Sequence, residues 1–430
     1  MGGAGAWHIG AHYADRWDVV HAGAGFAETA RYNRLTPDKY PVWYEQKLWG
    51  LYDVPGYARN LLNVPVIAYS GEIDKQKQAA DLMQAELKTH GLELTHIIGP
   101  NMPHKYDPGS RDKVLALIKE ALAKRKPPRE IHFQTRTLRY PSMHWFKATG
   151  LEEHWAEARA DGSYTFEGGA LKITLATENI TALEIDPAAM GLVRPESRKS
   201  IRPASIAVSL DGQELAAKPG EPIAFHKTEG GWKAGAPAGA RRKKPGLQGP
   251  IDDAFMAPFL CVEPTGEALN PAVGRWVEFE LAHFKDRWRA LFRGDAPSKK
   301  ADAVTKTDLQ DHNLILWGDP RSNPAIAKIL PDLPIEWGSE IKAAGKSYAA
   351  AHHVPILIFP NPLNPERYIV INSGPTFREG HDGTNSQQNP KLPDWAIIDL
   401  TEPPSATAPG KIVAADFFGE TWDWKTPPNE

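Results

Sequence analysis

The hydrophobic period of this chain changes character at KRKPPRE (124–130), and that change restricts the folds open to it. Upstream, helical and extended patterns alternate. Residues 4–16 place Ala6, Ile9, Gly10, Tyr13 and Trp17 on one face, the spacing of a helix. VVHAGAGF (19–26), VPVIAYSG (64–71) and LELTHIIG (92–99) read as short strands. QKQAADLMQAELKTHG (76–91) reads as a helix stopped by Gly91, and Ser110 as the cap of another that runs to Lys124. Strands alternating with helices predict a parallel sheet. Three strands make only part of such a sheet, because its open edge invites unwanted pairing. Downstream, IHFQTRTLRY, SMHWFKATG, LKITLATENITALEI and SIAVSLDGQEL alternate apolar and polar residues between turn signals, the texture of a β-sandwich. WVEFELAHFKDRWRALFRG (276–294) is an amphipathic helix. NLILWGD, VPILIFP, YIVINSG and WAIIDL then read as apolar strands of a second, small α/β region. The expected organisation is α/β over 1–126, sandwich-like over 127–274 and α/β again over 275–430.

The 430 residues carry a net charge of −3, so no global field gathers nucleic acid or a membrane surface. The one basic cluster, Arg241-Arg242-Lys243-Lys244, lies in a Gly/Ala/Pro-rich stretch and reads as a solvated loop. Cys261 is the sole cysteine, which excludes an intrachain disulfide and a thiolate metal cluster. No apolar run reaches the ~20 residues of a membrane helix, and no signal peptide is visible. Neither nucleic acid nor membrane is expected as a partner.

Two positions stand out for chemistry. Asp74 lies just past the end of strand 64–71, and His104 lies on the loop after strand 92–99. Functional groups gather beyond the carboxyl ends of parallel strands. Adjacent strands are about 4.8 Å apart, so loops leaving two of them can join an imidazole to a carboxylate. Asp74 reads equally as an N-cap for the helix that follows, and Glu72 competes for any acid role. The opening MGGAGAW, glycines leading straight into a helix, has the form of a tight strand-to-helix corner.

With Asp74 and His104 following in that order, the stretches MGGAGAWHIGAHYADRWDVVHAGAG, NVPVIAYSGEIDKQKQAADLM and IIGPNMPHKYDP resemble the C-terminal half of the catalytic domain of prolyl-oligopeptidase-like serine hydrolases, an α/β-hydrolase group. The likeness covers under a third of the chain and extends to feruloyl- and acetylxylan-esterase-like relatives. It implies that Asp74 is the triad acid, His104 the general base and the Met1 backbone nitrogen one oxyanion donor. The nucleophilic Ser would lie immediately upstream of Met1, so the chain by itself is expected to be inactive. The substrate would be a peptide or an ester, carbohydrate-linked esters included, and no cofactor is implied. Large members of the group are often exported, which implies a periplasmic or extracellular parent. The sequence departs from the group where Lys105-Tyr106, rather than small residues, follow His104. The alternative reading is a multidomain protein that binds glycan or protein without catalysis.

Other features carry weaker chemistry. Asp252-Asp253 reads as an exposed turn, with an acid pair or metal ligands as the alternative. His352-His353 could bind metal but lacks a third ligand at defined spacing. GDPRSNPAI (318–326) opens a helix without the glycine spacing of a phosphate loop, so Ser322 or Asn323 reads as an N-cap. Trp145, Trp155 and Trp232 read as packing residues, with sugar stacking as the alternative. The segments NLILWGDPRSN and PNPLNPERYIVINSG resemble C-terminal extensions of large bacterial members of the hydrolase group, with no chemistry to carry over.

Overall fold

A computed structural model describes residues 1–124, 128–192, 201–239 and 241–425. Residues 125–127 of the expected KRKPPRE linker, including the boundary drawn there, lie outside the described residues. The chain is mixed α/β with several sheets. It divides into two compact units, residues 1–40 with 49–238, and residues 41–48 with 239–430.

The first unit begins with helix α1 (Gly2–His12) and a three-stranded parallel sheet, β1 (Val20–Gly23), β2 (Val66–Gly71) and β3 (Thr95–Gly99), in the order β1-β2-β3. Glycine at position 3 lets α1 sit on the turn after β1: a Cβ there would lie 2.1 Å from the Gly23 carbonyl oxygen. Gly25 in that turn has φ +96°. One face of the sheet (Val20, Ala22, Val66, Ala68) enters the large core, and the other (Ile67, Tyr69) packs on Val114. Val114 belongs to helix Pro108–Ala123, which is capped by Asp107 rather than Ser110: Asp107 Oδ1 accepts the Ser110 amide at 2.9 Å. Pro108 occupies the first turn, where a missing N–H costs nothing. On the apolar positions of this helix Val114 is buried, Leu117, Ile118 and Ala121 are half-buried, and Leu122 is exposed.

Ten further strands form two five-stranded sheets: β4 (Glu130–Thr135), β5 (Ser142–Met143), β6 (Phe146–Leu151), β7 (Ala158–Glu167), β8 (Ala170–Glu178), β9 (Ile180–Ile185), β10 (Ser205–Leu210), β11 (Gln213–Ala217), β12 (Ile223–Thr228) and β13 (Gly231–Ala234). Their orders are β11-β10-β8-β7-β4 and β13-β12-β9-β6-β5. Alternate residues of β8 (Leu171, Ile173, Leu175) and β10 (Ile206, Val208, Leu210) meet those of β9 and β12 in one core. That core also contains Trp7, Val20 and Val66, so the parallel sheet and the ten-stranded region form one unit up to residue 238.

The second unit holds a seven-stranded mixed sheet. Its strands are β14 (Phe259–Glu263), β15 (Ser298–Lys300), β16 (Asn313–Leu316), β20 (His353–Asn361), β21 (Asn364–Ile371), β22 (Trp395–Asp399) and β23 (Lys411–Asp416), in the order β15-β14-β16-β21-β20-β22-β23. A separate small sheet contains β17 (Glu336–Trp337), β18 (Glu340–Ala343) and β19 (Lys346–Ala349). The expected boundary at 274 falls inside helix Pro271–Phe292, whose first turn opens with Pro271. VPILIFP and YIVINSG lie on consecutive strands joined by the Pro/Asn turn around Asn361-Pro362. They form an antiparallel hairpin, in which Asn361 Oδ1 accepts the Leu363 amide.

The basic cluster is not a solvated loop. Lys243 is fully buried, its Nζ 2.7 Å from Asp394 Oδ2 and over the Trp422 ring, and Lys244 reaches Glu366. Nor is Asp252-Asp253 an exposed turn. Asp252 accepts the Thr376 amide and hydroxyl, and buried Asp253 accepts the Tyr368 hydroxyl. Burial pushes the Asp252 carboxyl up to about 6.

Asp53, in the first unit, accepts the Thr29 amide and hydroxyl at 2.8 and 2.6 Å. Burial nevertheless raises its carboxyl to about 7. A raised folded value means that the folded chain holds a proton the unfolded chain has released. Stability from this group is therefore complete below the ordinary carboxylate range and is lost as pH rises towards 7, at up to about 1.4 kcal/mol per pH unit. Replacing Asp53 with Asn is expected to flatten the urea-unfolding free energy between pH 4 and 7. An unchanged slope would show that Asp53 is ionised in the fold.

Candidate active site

The carboxyl edge of β1-β2-β3 collects the residues singled out in this part of the sequence. A Cβ on Gly71, the last residue of β2, would lie 2.2 Å from the carbonyl oxygens of both Met102 and Pro103, so only glycine lets the loop after β3 close over the end of β2. Backbone bonds fasten that loop: the Glu72 amide donates to Gly99 O and the Ile73 amide to Met102 O. The chain then turns at Asp74, whose Oδ1 accepts the Gln76 amide at 2.9 Å. Asp74 is thus the cap of the helical segment that follows.

The other oxygen of the same carboxylate makes the second contact. Asp74 Oδ2 lies 2.8 Å from His104 Nδ1. The Asp74 side chain is 5% exposed and that of His104 62% exposed, so a sheltered acid holds a ring that is open to solvent. An ionised carboxylate only accepts, so Nδ1 is the nitrogen that donates to Asp74 and Nε2 is left facing away from it. Glu72 does not compete, because its Oε2 accepts the Asn101 amide at 2.7 Å. The N-cap and acid readings of Asp74 are compatible, since each uses a different oxygen.

Met1 precedes α1 with an exposed side chain, and its carbonyl accepts the Gly5 amide. The start of α1 is tied to this edge through Gly3, which abuts Gly23 and Ala24. A Cβ on Gly23 would in turn lie 3.1 Å from the Tyr106 hydroxyl. The helix start and the His104 loop therefore flank the same turn.

Three aromatic residues, Tyr69, Tyr106 and His21, position that loop. The Tyr106 ring stacks on Tyr69 of β2 at 4.0 Å between centroids, and the Tyr69 hydroxyl donates to Lys105 O at 2.9 Å. The Tyr106 oxygen lies 2.6 Å from His21 Nε2, and His21 Nδ1 lies 2.8 Å from Ile67 O. A carbonyl cannot donate, so His21 Nδ1 carries a proton and the Tyr106 hydroxyl bonds to Nε2. Burial pushes both tyrosine hydroxyls above their ordinary range. The Lys-Tyr pair after His104 is thus the loop's anchor. In the sequence Tyr106 shows only as a departure from small residues after His104, while Tyr69 and His21 carry no signal beyond their strands.

The remaining candidates lie elsewhere. Trp145, Trp155 and Trp232 are all buried, so none offers a face to a sugar. Asn323 caps helix Pro324–Ile329 through the Ala325 amide, and Ser322 accepts the Asp319 amide. Cys261 is buried, and burial raises its thiol to about 12, which leaves it unreactive. Among the described residues no helix is long and apolar enough to cross a membrane. No family model matches the chain, and neither a curated protein nor a solved structure matches it.

Proposed function

We infer that Asp74 and His104 are the acid and base of a Ser-His-Asp hydrolase centre, of the prolyl-oligopeptidase-like α/β-hydrolase kind. The nucleophilic hydroxyl would come from residues preceding Met1. The observation that carries this reading is the 2.8 Å contact of Asp74 Oδ2 with His104 Nδ1 at the edge where α1 begins. His104 Nε2 takes the proton of the attacking hydroxyl and returns it to the leaving group. Asp74 holds the ring's tautomer and stabilises the imidazolium, and its own low exposure strengthens that interaction. The Met1 nitrogen, an amide once a residue precedes it, would be one oxyanion donor. A peptide or an ester is the substrate class, and the chemistry needs no cofactor.

The chain beginning at Met1 is then expected to show no burst and no turnover with an activated ester such as p-nitrophenyl acetate. Burst kinetics that vanish in His104→Ala would place the nucleophile inside this chain and overturn the assignment of the hydroxyl. Trp145, Trp155 and Trp232 are buried, so a glycan-binding form of the alternative would have to use other faces, and a protein-binding form is untouched by their burial.

A further inference from the structure

The geometry points to a first-row divalent metal site in the second unit, formed by His352, His353 and Asp399, with zinc as its best-fitting ion. Adjacent histidines alone are weak, because a third donor is needed to define a site. That donor comes from the sheet. His353 opens β20 and pairs across the ladder with Asp399 at the end of β22. The Leu400 amide donates to His352 O at 2.8 Å and fixes the same register. One donor atom from each of the three residues lies within 4.8 Å of the others. Ligands of a tetrahedral zinc ion with bonds near 2.1 Å are about 3.4 Å apart. Closing the set therefore takes a shift of about 1.4 Å or less, within the rotamer freedom of side chains that are exposed or half-buried.

The surroundings prepare these donors. His353 Nδ1 lies 3.0 Å from Ala349 O, which accepts its proton and leaves Nε2 with the lone pair. A metal-bound imidazole is commonly oriented by such a bond from its other nitrogen. Asp399 Oδ1 accepts the Thr401 amide at 2.9 Å, so the other oxygen is the one turned to an ion. The two imidazole rings are 4.6 Å apart, close enough to share one ion. Two imidazoles and a carboxylate suit zinc and its neighbours, whereas calcium and magnesium require oxygen ligands. Three protein donors leave a fourth position for water.

The test is zinc titration of the metal-free full chain by calorimetry, with 5 mM magnesium present throughout. One strong equivalent of zinc is expected. Both His353→Ala and Asp399→Asn should weaken it about tenfold or more, since even the outer partners of metal ligands contribute that much. Cobalt should give a visible d–d band that disappears in the same variants. Thermal unfolding of the metal-free variants should match that of the parent chain, which separates lost ligation from lost folding. Zinc binding of unchanged affinity and stoichiometry in both variants would overturn the site, as would the absence of a strong equivalent in the parent chain.

Discussion

Replacing Asp394 with Ala will destabilise the second unit by about 3–5 kcal/mol, the cost of leaving a buried charge without its partner. Lys243 and Asp394 both have fully buried side chains, and Asp394 Oδ2 also accepts the Phe418 amide at 3.0 Å. With the carboxylate gone, the Lys243 ammonium faces the Trp422 ring in a site closed to water. The attraction of that ring, ~1–2 kcal/mol, does not replace an ion pair. The pair itself need not be strongly favourable, because two charges taken out of water cost nearly what their attraction returns. A Lys243→Met, Asp394→Leu double variant is therefore expected to be far less destabilised than either single one. Chemical denaturation checks this, provided that the two units are followed by separate probes, since a chain of two units need not unfold in one step. If Asp394→Ala costs under 1 kcal/mol, water reaches Lys243 and the buried-pair description is wrong.

The second large effect concerns His104. If the proposed serine precedes Met1, then in a chain extended to include it His104→Ala is expected to lower kcat for ester hydrolysis by about four to six orders of magnitude. Asp74→Asn should lower it by about 10^4, since an amide can donate to the ring and favour the wrong tautomer. KM should change little in both, because neither residue is assigned to substrate binding. Asp74 also caps the segment beginning at Lys75, so its variant needs a stability control. Asn preserves that cap, whereas Ala would remove it at a cost of about 1 kcal/mol. An extended chain whose turnover is insensitive to His104→Ala would end the hydrolase reading. Tyr106→Phe is a milder probe of the same loop. It keeps the stack on Tyr69 and removes the bond to His21, so a small loss of kcat is expected from a less firmly held His104.

Much of the site was legible in the sequence because its placement follows from topology. A residue a few positions past a parallel strand must lie at the sheet's carboxyl edge, whatever packs around it. Asp74 and His104 satisfy that from strand positions alone. Strand position alone does not make the choice between Asp74 and Glu72, because both lie past the same strand, and only the resemblance names Asp74. The choice was decided by the Asn101 amide, which takes the Glu72 carboxylate. Two corrections in the second unit share one cause. Arg241–Lys244 and Asp252-Asp253 were read as exposed because charged side chains usually are. Lys243, Asp252 and Asp253 are instead turned inward, towards Asp394, Thr376 and Tyr368 respectively. Each partner lies more than a hundred residues away in the chain.

The order of residues by itself determined what depends on neighbours a few positions apart. Helix and strand periods, glycines at tight corners and caps at helix starts express local sterics and hydrogen bonding, which operate within a turn or two of chain. The tertiary structure alone decided which carboxylate meets which cation or imidazole. Such a meeting depends on strand register and on long-range packing, as when the pairing of β20 with β22 brings Asp399 to His353 across 45 intervening residues. Charge pairing acts through space over a few ångströms, and no local pattern records which distant segment supplies the opposite charge.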